Sequence, residues 1–122
     1  MKVYKMSEFK RNNPFSVRQN ESYTIRLKYP DRIPVICEKK NVNDRSIPDI
    51  DKKKYLVPGD LTVGQFAYVI RRRIRLSADR TIFLFVNDRL PSSTEHISSL
   101  YDTDHDTDGF LYVGYKGENV FG

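Results

Sequence analysis

The segment from Leu61 to Ile74 is the strongest folding instruction in this chain. Thr62-Val63-Gly64-Gln65 has the form of a capping box: a threonine hydroxyl can accept from the backbone three residues on, while the glutamine side chain reaches back. Leu61 before the cap and Phe66 four residues into the helix are placed as a hydrophobic staple. Val63, Phe66, Val69, Ile70 and Ile74 then recur on one face at helical spacing, leaving Arg71, Arg72 and Arg75 on or near the wet side. A helix of this kind must bury its apolar face against something, and the patterns around it are strands.

Ile33 to Glu38 alternates as a strand, and Lys39 to Asp51 reads as a polar, turn-rich loop. Lys54 to Val57 is a second strand, stopped by Pro58-Gly59. After the helix, Thr81 to Val86 is a strand closed by Asn87-Asp88, Ile97, Leu100 and Tyr101 predict a short helix, and Phe110 to Tyr115 is the last strand. Ahead of all this, residues 1–30 read as a helical arm. Asn13 is placed as an N-cap with Pro14 at the first helical position, and Phe15, Ser22, Ile25 and Tyr29 share one face until Tyr29-Pro30-Asp31 ends the segment. Val3, Met6 and Phe9 lie at roughly helical spacing and predict a further short helix within Met1 to Arg11.

Two strands, a helix, a strand, a short helix and a strand is the order of the ubiquitin-like β-grasp roll. That is an α+β fold, a four-stranded mixed sheet packed on a helix, here with an N-terminal helical extension. Its first and last strands pair in the centre, and its second strand lies at an edge. The expected organisation is an arm over residues 1–30 packed on a β-grasp domain over 31–115, with a flexible tail over 116–122. A fold of this kind does not by itself assign a function.

With 122 residues the chain suffices for one domain, and no apolar run is longer than the five residues Ile82 to Val86, far too short for a signal peptide or membrane span. A soluble, cytosolic protein is expected. The net charge of +5 arises from 21 basic residues offset by 16 acidic ones in patches, not in one continuous stripe. The single cysteine, Cys37, falls in a strand pattern with no activating neighbour and reads as a packing residue.

Asp104-His105-Asp106-Thr107-Asp108-Gly109 matches the opening of an EF-hand calcium loop, but the position of the closing bidentate glutamate is Tyr115, within a strand pattern. A solvated acidic turn is the better reading, and no metal site is expected. Arg71-Arg72-Arg73-Ile74-Arg75 has no nucleic-acid-binding motif around it and reads as the polar side of the helix. His96 and His105 lack partners at catalytic spacing, and neither a nucleophile elbow, a Cys-x-x-Cys nor a phosphate loop is present, so an enzyme is not expected. No cofactor is implied. Lys52 to Pro58 admits two readings: an edge strand open to an added peptide strand, or lysines and a proline that protect an edge from aggregation. The tail Gly117-Glu118-Asn119-Val120-Phe121-Gly122 stops on a glycine, whose carboxylate can enter a narrow channel for want of a Cβ; an unimportant frayed end would look the same.

Several stretches together resemble one family. They are Tyr29-Pro30-Asp31-Arg32-Ile33-Pro34-Val35-Ile36, Asp51-Lys52-Lys53-Lys54-Tyr55-Leu56-Val57-Pro58, Asp60-Leu61-Thr62-Val63-Gly64-Gln65-Phe66, Phe85-Val86-Asn87-Asp88, Asp108-Gly109-Phe110-Leu111-Tyr112-Val113 and the glycine-ended tail. They look like the autophagy ubiquitin-like modifiers, the group of the gamma-aminobutyrate receptor-associated protein and the microtubule-associated light chain 3. The match runs from about Glu21 to the end, while residues 1–20 and the loop 39–50 diverge.

The resemblance implies a protein tag that is a substrate and not a catalyst. Gly122, presented by Val120 and Phe121, would be joined to the amine of phosphatidylethanolamine by activating and conjugating enzymes, with a cysteine protease for processing and delipidation. The protein would be a monomer in the cytoplasm before conjugation. Afterwards it would sit on the autophagosome membrane and travel to the vacuole or lysosome. Cargo receptors would dock through aromatic-x-x-aliphatic motifs by strand addition. The first pocket, for the aromatic residue, would be Glu21, Ile25, Pro34, Lys54, Leu56 and Phe110. The second would be Tyr55, Val57, Pro58, Leu61, Phe66 and Val69. Arg32, Lys52, Lys54 and Arg73 would meet acidic residues flanking the motif, and Phe83 and Phe85 would contact the processing and conjugating enzymes, although period two makes a core role for at least one of them equally reasonable. The alternative is an unconjugated trafficking adaptor that uses the same groove, with its arm touching tubulin or acidic membrane; nucleic acid is not an expected partner.

Overall fold

The computed structural model describes residues 7–117. Its elements are α1 (Glu8–Asn12), α2 (Phe15–Lys28), β1 (Arg32–Lys39), β2 (Lys54–Pro58), α3 (Val63–Arg73), β3 (Ile82–Phe85), α4 (Ile97–Asp104) and β4 (Leu111–Gly117). The strands form one sheet in the order β2-β1-β4-β3. β1 is antiparallel to β2 and parallel to β4, and β4 is antiparallel to β3. The expected α+β architecture is therefore present, with the first and last strands central and β2 at an edge.

The helix start is built as its sequence requires. Thr62 Oγ1 accepts from the Gln65 amide at 3.2 Å, and Gln65 Oε1 accepts from the Thr62 amide at 2.9 Å. α3 buries Val63, Phe66 and Ile70, and Ile74 closes the face at the C-cap. Val69 departs from the expected face and stays exposed. At 3.6 residues per turn it lies about 100° around the helix from the mean direction of the other four.

β1 is buried without alternation from Ile33 to Cys37 because both faces of the sheet are covered. Ile33, Val35 and Cys37 join the main core with Tyr55, Val57, Phe66, Ile70, Leu84, Leu111 and Val113. Pro34, Ile36 and Phe110 are equally buried but lie outside that cluster, on the opposite face beneath the N-terminal helices. Burial pushes the Cys37 thiol well above its ordinary value, which keeps it neutral and fits a packing role.

Several details differ from expectation. Asn13 does not cap α2; it ends α1, and its side-chain amide donates to the Phe9 carbonyl at 2.9 Å. The N-cap of α2 is Pro14, whose carbonyl accepts from Val17 and Arg18. The helix foreseen within Met1 to Arg11 is α1, while Val3 and Met6 lie outside the described residues. The loop after β1 is not wholly polar, since Ile47 and Ile50 enter the core. It is held down by Lys39 Nζ, which bonds to the Asp44 and Ile47 carbonyls and to Asp49, and by the Tyr115 hydroxyl donating to the Pro48 carbonyl. Finally, β4 runs on to Gly117, two residues past the strand pattern, because Lys116 and Gly117 pair with Phe83 and Ile82.

Candidate functional site

Antiparallel pairs alternate between those that exchange hydrogen bonds and those that do not. Pro34, having no N–H, stands opposite Leu56, so that pair cannot be of the bonded kind. The bonded phase falls on Ile33 with Val57 and Val35 with Tyr55, and it continues as the Cys37 amide donates to the Lys53 carbonyl at 2.8 Å. The peptide groups of Lys54 and Leu56 consequently face away from β1, along the open edge. Arg32 Nη1 reaches across and donates to the Leu56 carbonyl at 3.2 Å.

Side chains of β2 alternate across the sheet: Lys54 and Leu56 lie on the α2 face, Tyr55 and Val57 on the α3 face. The residues expected in the first pocket come together on the α2 face. Leu56 is 37 % exposed, Pro34 beneath it is buried, and Glu21 of α2 pairs with Lys54. Ile25 is half-buried and lines an open depression along α2 with Val17, Glu21 and Thr24. Phe110 has 0 % exposure. What covers it is Phe9 of α1, whose ring meets that of Phe110 edge-on at 5.2 Å.

On the α3 face the residues expected in the second pocket divide. Tyr55, Val57 and Phe66 are core, with the Tyr55 and Phe66 rings edge-on at 5.7 Å, and burial pushes the Tyr55 hydroxyl up to about 12. Pro58 and Leu61 are half-buried and Val69 is exposed. Only these three present accessible surface; the buried three lie beneath it as floor.

The cationic rim is already engaged. Arg73 donates to both oxygens of Asp51 at 2.8 and 3.1 Å, and this holds the Asp51 carboxyl below the ordinary range. Lys52 lies 5.0 Å over the Tyr55 ring, and Lys54 is shared between Glu21 and the Phe9 ring. An acidic flank would replace these partners instead of meeting bare cations. Of the other helix arginines, Arg71 donates to the Ser77 and Arg80 carbonyls and so fixes the turn after α3.

On the far edge, Ile82 and Leu84 face the core, which puts both Phe83 and Phe85 on the outer face. A core role for either ring is thereby removed. Phe83 is 42 % exposed, and Phe85 has the ammonium groups of Lys40 and Lys116 at 5.5 and 5.6 Å from its ring. Val120, Phe121 and Gly122 lie outside the described residues.

The acidic run is not a set of solvated carboxylates. Asp104 pairs with Arg89 at 2.6 Å and Asp106 with Lys10 at 2.7 Å. Asp108 is fully buried and accepts from Arg18 Nε at 2.8 Å, the Tyr112 hydroxyl at 2.5 Å and the Phe110 amide at 2.9 Å. Ser22 donates to the Asp108 carbonyl at 2.5 Å, and Gly109, with φ of 91°, leaves room where a Cβ would collide with that hydroxyl. Arg18, Asp108 and Phe9 thus shape the α2 face of the groove, and none of the three carried a local signal for that role.

Comparison with known proteins places this architecture. Residues 17–122 match the family model for autophagy protein Atg8, ubiquitin-like. The chain is 58 % identical over 116 residues to autophagy-related protein 8a of Arabidopsis thaliana, covering 95 % of this chain and 93 % of that protein. It is also 58 % identical to autophagy-related protein 8 of Mycosarcoma maydis, covering 95 % and 97 %. The crystal structure of Trypanosoma brucei ATG8 superposes with a TM-score of 0.88 at 42 % identity, over 97 % of this chain and 100 % of that one. Plasmodium falciparum Atg8, solved in complex with a Plasmodium falciparum Atg3 peptide, gives 0.81 at 38 % identity, over 91 % and 96 %. The chain belongs to the Atg8 family of ubiquitin-like autophagy proteins.

Proposed function

We propose that the protein is a conjugated modifier: Gly122 is joined to phosphatidylethanolamine, and the β2 edge recruits partners bearing aromatic-x-x-aliphatic motifs to the membrane so marked. The observation that carries this is that β2 is an open edge strand with Leu56 accessible on its α2 face and Pro58, Leu61 and Val69 accessible on its α3 side. In an extended peptide, residues separated by three positions point to opposite sides. A peptide added to β2 would bond to the outward peptide groups of Lys54 and Leu56, send its aromatic residue to the Leu56 side and its aliphatic residue to the Leu61 side. The solved relative bound to a peptide of Atg3 supports recognition of autophagy-enzyme peptides by this fold.

The chemistry at the tail is acyl transfer. Adenylation activates the carboxylate, partner cysteine thiolates carry it as a thioester, and the lipid amine displaces the thiolate to form an amide. This chain supplies the electrophile and the partners supply the catalysis. Among the described residues no helix is long and apolar enough to cross a membrane, so the two acyl chains of one phospholipid would supply the stable anchor. The cytoplasmic pool and the autophagosome-bound pool are then two states of one protein.

The test separates the two ends of the molecule. With the activating and conjugating enzymes, ATP and phosphatidylethanolamine liposomes, the parent should shift to a lipidated band and Gly122→Ala should not, while Gly122→Ala still binds a motif peptide. Leu56→Ala should lipidate and yet lose about 1–3 kcal/mol of peptide affinity, the scale of one buried leucine contact. Equal lipidation of parent and Gly122→Ala, or peptide binding indifferent to Leu56, would refute the corresponding half.

A further inference from the structure

The floor of the first pocket is occupied. Phe110 is wholly buried, and the ring of Phe9 packs edge-on against it. Lys54, on the opposite wall, lies 5.5 Å above the same ring and pairs with Glu21. The Phe9 amide donates to Glu38 Oε2 at 3.1 Å, and Glu8 pairs with Lys53. An acidic residue followed by an aromatic one, the acid on Lys53 just ahead of β2 and the ring on Phe110, repeats the order of an acid-flanked aromatic ligand.

We propose that Phe9 is a built-in occupant of the first pocket, which the aromatic residue of an incoming peptide must displace. The inference rests on the groove reading given above. α1 is suited to leave. It has five residues, none of them buried, and is far too short to be stable as a helix by itself. Its ion pairs with Lys53 and Asp106 are partly exposed and weakly holding. Asn13 and Pro14 separate it from α2, which stays pinned through Arg18 and Asp108. Phe9 is also an incomplete ligand: Asn12, three residues on, is polar and supplies nothing to the second pocket. A peptide that fills both pockets and pairs with the β2 edge outcompetes it, whereas one that offers an aromatic residue alone does not. The occupant therefore raises the threshold for binding and selects for two-pocket ligands.

The chain contains no tryptophan, so Phe9→Trp introduces a single indole reporter at the pocket. Titrated with a tryptophan-free peptide carrying phenylalanine, an aliphatic residue three positions on and an acidic flank, its emission should shift to the red as the indole leaves Phe110. Phe9→Ala, verified as folded by circular dichroism, should bind that peptide about three- to ten-fold more tightly than the parent, because a vacated pocket raises the competent fraction. Glu8→Gln should move affinity the same way by a smaller factor. Leu56→Ala serves as the control for the groove. Leu56-dependent binding with no gain in Phe9→Ala, or with unshifted emission, overturns the occupant and leaves the groove standing. Binding indifferent to Leu56 overturns both.

Discussion

Two helices cover the two faces of this sheet by opposite means. α3 is attached by Val63, Phe66, Ile70 and Ile74 pressed into the core, whereas α2 buries only Arg18 and Ser22, both hydrogen-bonded to Asp108. Burial of apolar surface is non-directional and tolerates small shifts. A buried guanidinium and carboxylate hold one geometry and lose heavily if either partner goes. One face of the sheet is thus a core and the other a latched cover, and the groove at β2 straddles the boundary between them.

The largest expected effect breaks the core side. Phe66→Ala should cost about 3–5 kcal/mol in urea unfolding, the usual range for an emptied buried aromatic site. The loss should be global, appearing equally in helix signal and in sheet packing. Asp108→Ala should cost about 3 kcal/mol by stranding Arg18. It also removes acceptors from the Tyr112 hydroxyl and the Phe110 amide. Its signature should be local: amide exchange accelerates through α2 while α3 keeps its protection. If α2 stayed as protected in Asp108→Ala as in the parent, the contrast between core and latch would be false.

The same contrast explains what the sequence disclosed. α3 was legible because its evidence is local, with Leu61, Thr62, Gln65 and Phe66 all within one turn of the helix start. The strands and the edge position of β2 followed from order and alternation, and with them the strand around Leu56 that carries the groove. The latch was not legible, since Arg18 and Asp108 lie 90 residues apart and Asp108 sits in a run of alternating carboxylates that resembles a solvated turn. Of Phe15, Ser22, Ile25 and Tyr29, which share one face by spacing, Ser22 is buried and Ile25 half-buried but Phe15 and Tyr29 are exposed, because the buried stripe is polar and a hydrophobic period cannot show it. Ile47 and Ile50 are isolated apolar residues in a polar loop, which periodicity passes over. The covering of Phe110 by Phe9 is a contact between distant segments and leaves no mark on either.

The smallest expected effect sharpens the comparison within the latched side itself, where Lys10 and Asp106 hold α1 at 2.7 Å with about a quarter of each side chain exposed. Burial alone would raise the Asp106 carboxyl, but the Lys10 ammonium and the Asp108 amide outweigh it and hold Asp106 below the ordinary aspartate range. A carboxyl lowered in the folded state contributes stability that is complete above its unfolded value of about 4 and is lost as the pH falls through the folded value. Asp106→Asn should therefore cost less than about 1 kcal/mol near neutral pH, as partly exposed pairs do. The difference from the parent should shrink toward zero in acid, when both chains carry a neutral side chain at this position. The cost of Phe66→Ala should not converge in this way, because no titrating group is removed. Urea unfolding of the three chains at neutral and acidic pH, with carbon NMR of the Asp106 carboxyl, measures both terms. An Asp106 midpoint at or above the ordinary aspartate value would show that α1 is not held by this charge, leaving Phe9 on Phe110, the Phe9 amide on Glu38 and Glu8 on Lys53 to attach it.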